Sequence, residues 1–183
     1  YHCNGACVVG DKLYVATLQS SFIEIDKTTL NLIKTHTFNR NFRSISYYNG
    51  ELYAESFKSL YKINFETGEI TFVCEILFPN PVDIYQSGCV YNGFLYETAY
   101  HDKAILKFDI ETGKHLYTYK IDDWYGSVPS GEIEGLSMNE YGTYLCSTSF
   151  HSFDNYRIGR LFEFNFSTNE KVNLRYTAGC TVG

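Results

Sequence analysis

One unit recurs along this chain, and its recurrence limits the fold more than any other feature. The unit carries two marks. The first is a small residue opening an apolar strand, followed by a turn and a Leu-Tyr-like pair. It runs from Gly5 to Tyr14, from Ser44 to Tyr53, from Gly88 to Tyr96 with a turn one residue shorter, and from Gly135 to Leu145. A fifth copy opens at Gly179. The second mark is an apolar–polar alternation ending in Asp or Asn, with Thr three residues later: Asp26 and Thr29, Asn64 and Thr67, Asp109 and Thr112, Asn165 and Thr168. Gly68 and Gly113 follow two of these threonines, and Asn169 follows the fourth. Gly and Asn accept the positive φ of a tight hairpin, so the second mark is turn chemistry.

The copies open at residues 5, 44, 88, 135 and 179, at spacings of 39, 44, 47 and 44. Periods near 40–50 with four short strands each are the signature of propeller blades. In the third copy the strands read Cys89–Tyr91, Phe94–Tyr100, Ala104–Asp109 and His115–Ile121. A β-sandwich also has frequent turns, but it does not repeat two marks in fixed order. The expected fold is therefore all-β, a β-propeller of four-stranded antiparallel blades over 5–43, 44–87, 88–134 and 135–178. Residues 179–183 then open the next blade. A ring that already owns its first inner strand is expected to need more chain for closure, which makes this part of a five-bladed or larger ring.

Composition narrows the function classes. Apolar residues make up 44% of the 183, and Tyr and Phe supply all the aromatics but one Trp, a profile that suits pleated, half-buried strands. A net charge of −6 lacks the basic stripe that displaces counterions from a phosphate backbone, so nucleic acid is not an expected partner. No apolar run reaches 18 residues, so no membrane insertion is expected, and no signal peptide is visible. Six cysteines are present, of which Cys7, Cys89 and Cys180 fall at or beside one position of the repeat. There they read as reduced thiols acting as small buried hydrophobes. Cys3, near a chain end, is exempt from that reading.

The first strand of a propeller blade lines the channel, and the loops entering it form one rim, where binding side chains are held by rigid sheets. Asn4, Arg43, Gln86, Ser87 and Glu134 are thereby expected around one mouth. The competing role for such side chains is to satisfy backbone groups at the strand starts. Glu132 and Glu134, two apart on an extended strand, are a carboxylate pair suited to acid–base work or to holding a cation. The remaining acidic residues keep no fixed spacing, and the five histidines share no position, so no metal and no cofactor are expected. Neither a Gly-x-Ser-x-Gly elbow nor a phosphate loop is present, so no catalytic residue is assigned and the chain is not read as an enzyme. Trp124 lies beside Asp122 and Asp123. An exposed ring beside carboxylates is how proteins hold sugars, and the alternative is that Trp124 fills an inter-blade core.

Two stretches add a resemblance: Gln86-Ser87-Gly88 with Leu95-Tyr96, and Gly131-Glu132-Ile133-Glu134-Gly135-Leu136-Ser137 with Tyr144. In these the chain resembles the β-propeller platform of staphylococcal phage receptor-binding (tail fibre) proteins and of TagC-like proteins. Ser87 splits the Gln-Gly pair of that pattern. The resemblance implies a virion or extracellular-surface protein that binds a cell-wall glycopolymer as a homo-oligomer.

The expected function is thus a non-catalytic binding platform for a cell-wall glycan. Two alternatives stand beside it. One is a channel-site enzyme, lactonase- or cyclotransferase-like, using Glu132 or Glu134. The other is a structural propeller for protein contacts, since fold alone does not choose among these.

Overall fold

The computed structural model describes residues 3–102, 104–120, 131–138, 143–151, 156–165, 170–176 and 180–181, with side-chain environments for 3–102, 104–120 and 135–138. The chain runs as four up-and-down antiparallel sheets. The first holds β1 (Gly5–Val9), β2 (Lys12–Ala16), β3 (Ser21–Asp26) and β4 (Leu32–Thr37). The second holds β5 (Ser44–Tyr48), β6 (Glu51–Ser56), β7 (Ser59–Ile63) and β8 (Ile70–Glu75). The third holds β9 (Tyr85–Tyr91), β10 (Phe94–Ala99), β11 (Ala104–Asp109) and β12 (His115–Lys120). The fourth holds β13 (Gly131–Met138), β14 (Thr143–His151), β15 (Tyr156–Asn165) and β16 (Glu170–Tyr176).

The sheets follow the repeat. In the third, β9 begins three residues before Gly88, and the ladder absorbs this with an irregularity between Glu97 and Ala99. In the fourth, β13 begins four residues before Gly135, whose φ of +79° marks the bulge opposite β14. The last segment is placed differently from the sequence expectation. Residues Cys180–Thr181 (β17) pair with the start of β15, Arg157 against Cys180 and Tyr156 against Thr181, instead of opening a separate sheet. The long β15 reaches past its pairing with β16 and leaves backbone groups that β17 satisfies.

Adjacent sheets pack face to face around their first strands. β1 lies against β5, β5 against β9 and β9 against β13, and β1 also approaches β13. One core is built from Tyr14, Ala16 and Phe22 of the first sheet with Ile45, Ala54, Tyr61 and Ile63 of the second, and Phe42 of the linker between them. The next joins Tyr53, Leu60 and Cys74 to Val90, Leu95, Leu106 and Phe108. Both faces of the middle sheets are therefore covered. This is why β10 is buried at every position after Phe94, where a one-sided sheet would alternate.

The small residue that opens each inner strand has a steric cause. A Cβ on Gly5 would stand 3.0 Å from Ser44 Cα in the neighbouring sheet. Two serines also stitch the inner strands together: Val90 N–H donates to Ser46 Oγ at 3.0 Å, and Leu136 N–H donates to Ser87 Oγ at 3.3 Å.

The Asp/Asn–Thr mark closes the hairpin between the third and fourth strands. Asp26 Oδ1 accepts from Thr28 N, Thr29 N and Thr29 Oγ1, and Asp109 Oδ1 accepts likewise from Glu111 N, Thr112 N and Thr112 Oγ1. Asn64 Oδ1 takes Glu66 N and Thr67 N. Hydrogen bonds from Thr112 hold the Asp109 carboxyl below its ordinary value, and those from Thr29 do the same for Asp26. The residue after Thr is left-handed in all three: Gly68 at φ +74°, Gly113 at +69° and Leu30 at +57°. Only Leu30 pays a Cβ penalty there, and its side chain is 71% exposed. Leu30→Gly is expected to stabilise the fold by about 0.5–1 kcal/mol, the αL cost of ~1–2 kcal/mol less the added chain entropy of glycine. Urea denaturation of the two proteins measures the difference.

Candidate functional site

In an antiparallel blade the start of the first strand, the end of the second and the start of the third share one end. The linkers between sheets and the β2–β3 and β6–β7 turns therefore form a single mouth. Asn4 and Gln86 meet there: Asn4 Nδ2 donates to the Gln86 carbonyl at 3.2 Å, across 82 residues of chain. Arg43 lies between them in sequence and at the start of β5, where its N–H extends the ladder to the Glu55 carbonyl at 3.0 Å.

The centre of this mouth is a buried charge cluster. Arg43 Nη2 reaches Glu55 Oε1 and Glu97 Oε2, each at 3.3 Å, and Nη1 donates to the Tyr85 carbonyl at 3.3 Å. Ser44 Oγ donates to Glu55 Oε2. The Arg43 side chain is 14% exposed, that of Glu55 1% and that of Glu97 0%. Glu55 and Glu97 occupy corresponding places, because Ser44 pairs with Glu55 and Gly88 with Glu97 across their inner ladders. The first sheet puts Ala16 opposite Gly5 at that position. Gly88 is what lets the two carboxyls come together, since a Cβ there would collide with Glu55 Oε2 and stand 2.7 Å from Glu97 Oε2.

Two carboxyls facing one cation in a dry site do not both ionise readily. Burial pushes the Glu97 carboxyl well above its ordinary value; Arg43 pulls it back, and Glu55 raises it again. The Arg43 guanidinium is held more firmly protonated, because Glu97 and Glu55 more than offset its desolvation. On Glu97, burial therefore works against the charged form while Arg43 works for it. Arg43 Nε and Glu97 Oε1 are buried with no hydrogen-bond partner. A second buried carboxyl, Glu24, contrasts with this. Burial raises it, but Lys12 Nζ at 2.7 Å and His36 Nε2 at 2.6 Å more than compensate and hold it below its ordinary value. That group is saturated by its own sheet.

Arg43 also lines a pocket of about 210 Å³, together with Leu18, Asn41, Phe42 and Phe57. Leu18 and Phe57 occupy the β2–β3 and β6–β7 turns, both at positive φ (+54° and +53°). A bulky residue in that region is a backbone outlier. Phe57 is 77% exposed, so an apolar ring stands at the edge of the pocket that Arg43 lines.

Of the residues singled out from sequence, Asn4, Arg43 and Gln86 are brought to this mouth. Ser87 is also there, fully buried, but its groups are spent on the scaffold: its N–H donates to Thr98 Oγ1 at 3.0 Å and its Oγ accepts Leu136 N–H. Glu132 and Glu134 lie on β13, opposite Ser149 and Ser147, with side chains outside the described residues. Trp124 also lies outside them. Among the described residues no group of three or more His, Cys, Asp or Glu converges on a common point. Sequence reading missed Glu55 and Glu97. The signal available was a Glu within two or three residues of the Leu-Tyr pair, on a strand otherwise built for burial.

No family model and no curated protein matches the chain. Solved structures do. Glutaminyl cyclase from Myxococcus xanthus is similar over 96% of this chain and 73% of its own, at 18% identity and a TM-score of 0.66. The β-propeller domain of Myceliophteria thermophila Cps50 (Swd1) is similar over 97% of this chain and 56% of its own, at 13% identity and a TM-score of 0.53. Hydrazine synthase from Kuenenia stuttgartiensis is similar over 97% of this chain and 49% of its own, at 9% identity and a TM-score of 0.53. At such identities the likeness is one of fold, and it agrees with the four sheets and their shared inner strands: the chain is an antiparallel β-propeller.

Proposed function

We propose that this propeller binds a compact, uncharged polar group at the mouth built by Asn4, Arg43, Gln86, Glu55 and Glu97, beneath the apolar rim of Leu18 and Phe57. The observation that carries this reading is the buried Glu97 carboxyl, which burial holds above its ordinary value and which has one oxygen without a hydrogen-bond partner. A site that already holds a guanidinium and two carboxyl groups offers donors and acceptors together. Hydroxyl and amide groups suit it, and with the chain at −6 a neutral ligand suits it better than a polyanion. The terminal sugar of a cell-wall glycan has this chemistry, with Phe57 taking the ring-stacking part assigned from sequence to Trp124. A virion or cell-surface setting and a homo-oligomeric assembly belong with that ligand. Saturation-transfer NMR with purified cell-wall polysaccharide should show sugar protons contacting the wild-type protein and not the Phe57→Ala or Glu97→Gln variants. Equal transfer in all three would overturn the assignment.

A second reading rests on the same carboxyl and on the fold shared with a glutaminyl cyclase. A carboxyl raised by burial and set beside a cation is placed for general acid–base work. In cyclisation of an N-terminal glutaminyl residue, the α-amine attacks the side-chain amide carbon, the amine loses a proton, and the amide nitrogen takes one up and leaves as ammonia. Glu97 would carry that proton and Arg43 would stabilise the carbonyl oxygen. Ammonia release from a glutaminyl dipeptide, abolished in Glu97→Gln, supports this reading; no release by the wild type rejects it and leaves the binding reading standing.

A further inference from the structure

The linker between the first two sheets displays a polar triplet between two anchored rings. Phe38 and the buried Phe42 pack on Phe22, with ring centroids 5.8 and 5.0 Å from it. Their N–H groups donate to the Ser20 and Gln19 carbonyls of the β2–β3 turn at 2.7 and 3.1 Å. Asn39, Arg40 and Asn41 lie between these anchors and are exposed, as binding side chains on a rigid scaffold are. Two open grooves share Phe38, Asn39 and Arg40. One, of about 600 Å³, includes Asn41 and Phe57, which also line the pocket beside Arg43. The other, of about 660 Å³, continues past Arg40 to Tyr61 of β7 and to Ile70 and Phe72 of β8. Neighbouring grooves thus share walls from the mouth to the outer strand of the second sheet. Arg40 Nη1 donates to the Tyr61 hydroxyl, and its guanidinium carbon lies 4.3 Å from the Tyr61 ring centroid. Phe72 meets the same ring in a T-shaped contact at 5.8 Å and is 58% exposed. Arg43 is spent on two carboxyls, whereas no acidic side chain among the described residues lines either groove at Arg40. In a chain of net charge −6, these walls carry a positive charge and no negative one.

We propose that the groove at Arg40 is a subsite for an acidic sugar unit, a saccharide residue that bears a carboxylate. Arg40 pairs with the carboxylate, since the planar fork of a guanidinium matches its two oxygens. The contact with Tyr61 orients that fork. Phe72 covers the apolar C–H face of the sugar ring, and Thr37 and Asn39, in the same groove, serve its hydroxyls. A concave wall with an exposed ring and a few placed polar groups is the usual form of such a site. The inference rests on the glycan-binding reading of the mouth and extends it: a neutral terminal unit lies at the mouth, and an acidic unit of the same chain lies at Arg40. One guanidinium serves one acidic unit, in keeping with a ligand that is not a polyanion.

The experiment is an NMR titration of the isotope-labelled full chain with the methyl glycosides of glucuronic, galacturonic and N-acetylneuraminic acids, each against its uncharged methyl ester. At least one acid should shift the Arg40 Nε–H and Asn39 side-chain amide signals and bind about five- to tenfold more tightly than its ester, the scale of one exposed charge-assisted contact. Added salt should weaken the acid and leave the ester unchanged. Arg40→Gln should abolish the preference for the acid, and Phe72→Ala should weaken acid and ester alike. Both side chains are exposed, so both variants should keep the wild-type backbone spectrum. Equal binding of every acid and its ester would overturn the proposal, as would a preference that survives Arg40→Gln. Shifts at Arg40 produced equally by acetate would reduce the groove to an anion contact and overturn it too. The two readings fail separately. Glu97→Gln should leave the Arg40 shifts intact even if the mouth binds nothing, and their loss in that variant would overturn the subsite.

Discussion

Arg43→Met is expected to cost about 3–5 kcal/mol at neutral pH, the usual penalty for removing one partner of a buried ion pair. The substitution keeps most of the side-chain volume, so the loss is electrostatic. It leaves Glu55 and Glu97 facing each other in a dry site, with the Ser44 hydroxyl still donating to Glu55. The deficit should depend on pH, with a sign fixed by the direction of the Glu97 shift. That carboxyl is raised in the folded protein. Below the value of an unfolded glutamate, about 4.3, both states hold the proton and no stability is lost. As pH rises above it, the unfolded chain releases the proton first, and stability falls until the folded carboxyl itself ionises. Removing Arg43 removes the group that pulls Glu97 back down, so the fall becomes longer. Urea midpoints measured from pH 4 to pH 8 should show the variant approaching the wild type at the acid end and diverging from it at neutral pH. A gap independent of pH would mean that Arg43 acts by packing alone.

The carboxyls themselves should be strongly non-additive. Glu55→Gln and Glu97→Gln singly each leave Arg43 one carboxyl partner, and each is expected to cost about 1 kcal/mol, the scale of one altered hydrogen bond. The double variant leaves the guanidinium buried without any anion, and should cost about 3–5 kcal/mol. The excess over the two single losses, about 1–3 kcal/mol, is the coupling that a double-mutant cycle reads. Additive losses would show that the two carboxyls do not share the cation. The cycle also bears on function, because a Glu97→Gln protein that stays folded is the variant needed for both the binding and the ammonia-release experiments.

The repeat could be read from the chain because its marks are local. Asp26, Asn64 and Asp109 make their hydrogen bonds within three residues, so the turn chemistry is written in consecutive positions. Four sheets follow the copies that those marks delimit, and Asn4, Arg43 and Gln86 lie together at the starts of the inner strands. Other features were not legible. Ser87 looked like a rim ligand, but its hydroxyl is committed to Leu136, 49 residues away. Nothing in the neighbouring sequence reports that partner. Gly88 looked like strand punctuation, whereas its lack of a Cβ makes room for two carboxyls from different sheets.

The sequence by itself determined the antiparallel four-strand unit, its repetition and its turns, because period, alternation and Asx chemistry act over a few residues and need no knowledge of distant partners. Only the tertiary structure decided which side chains are chemical. Glu55 and Glu97 sit 42 positions apart on second strands that read as core. What makes them sites is convergence on an axis shared by separate sheets, together with the loss of water that shifts their protons. Both depend on packing between repeats, which no single repeat encodes.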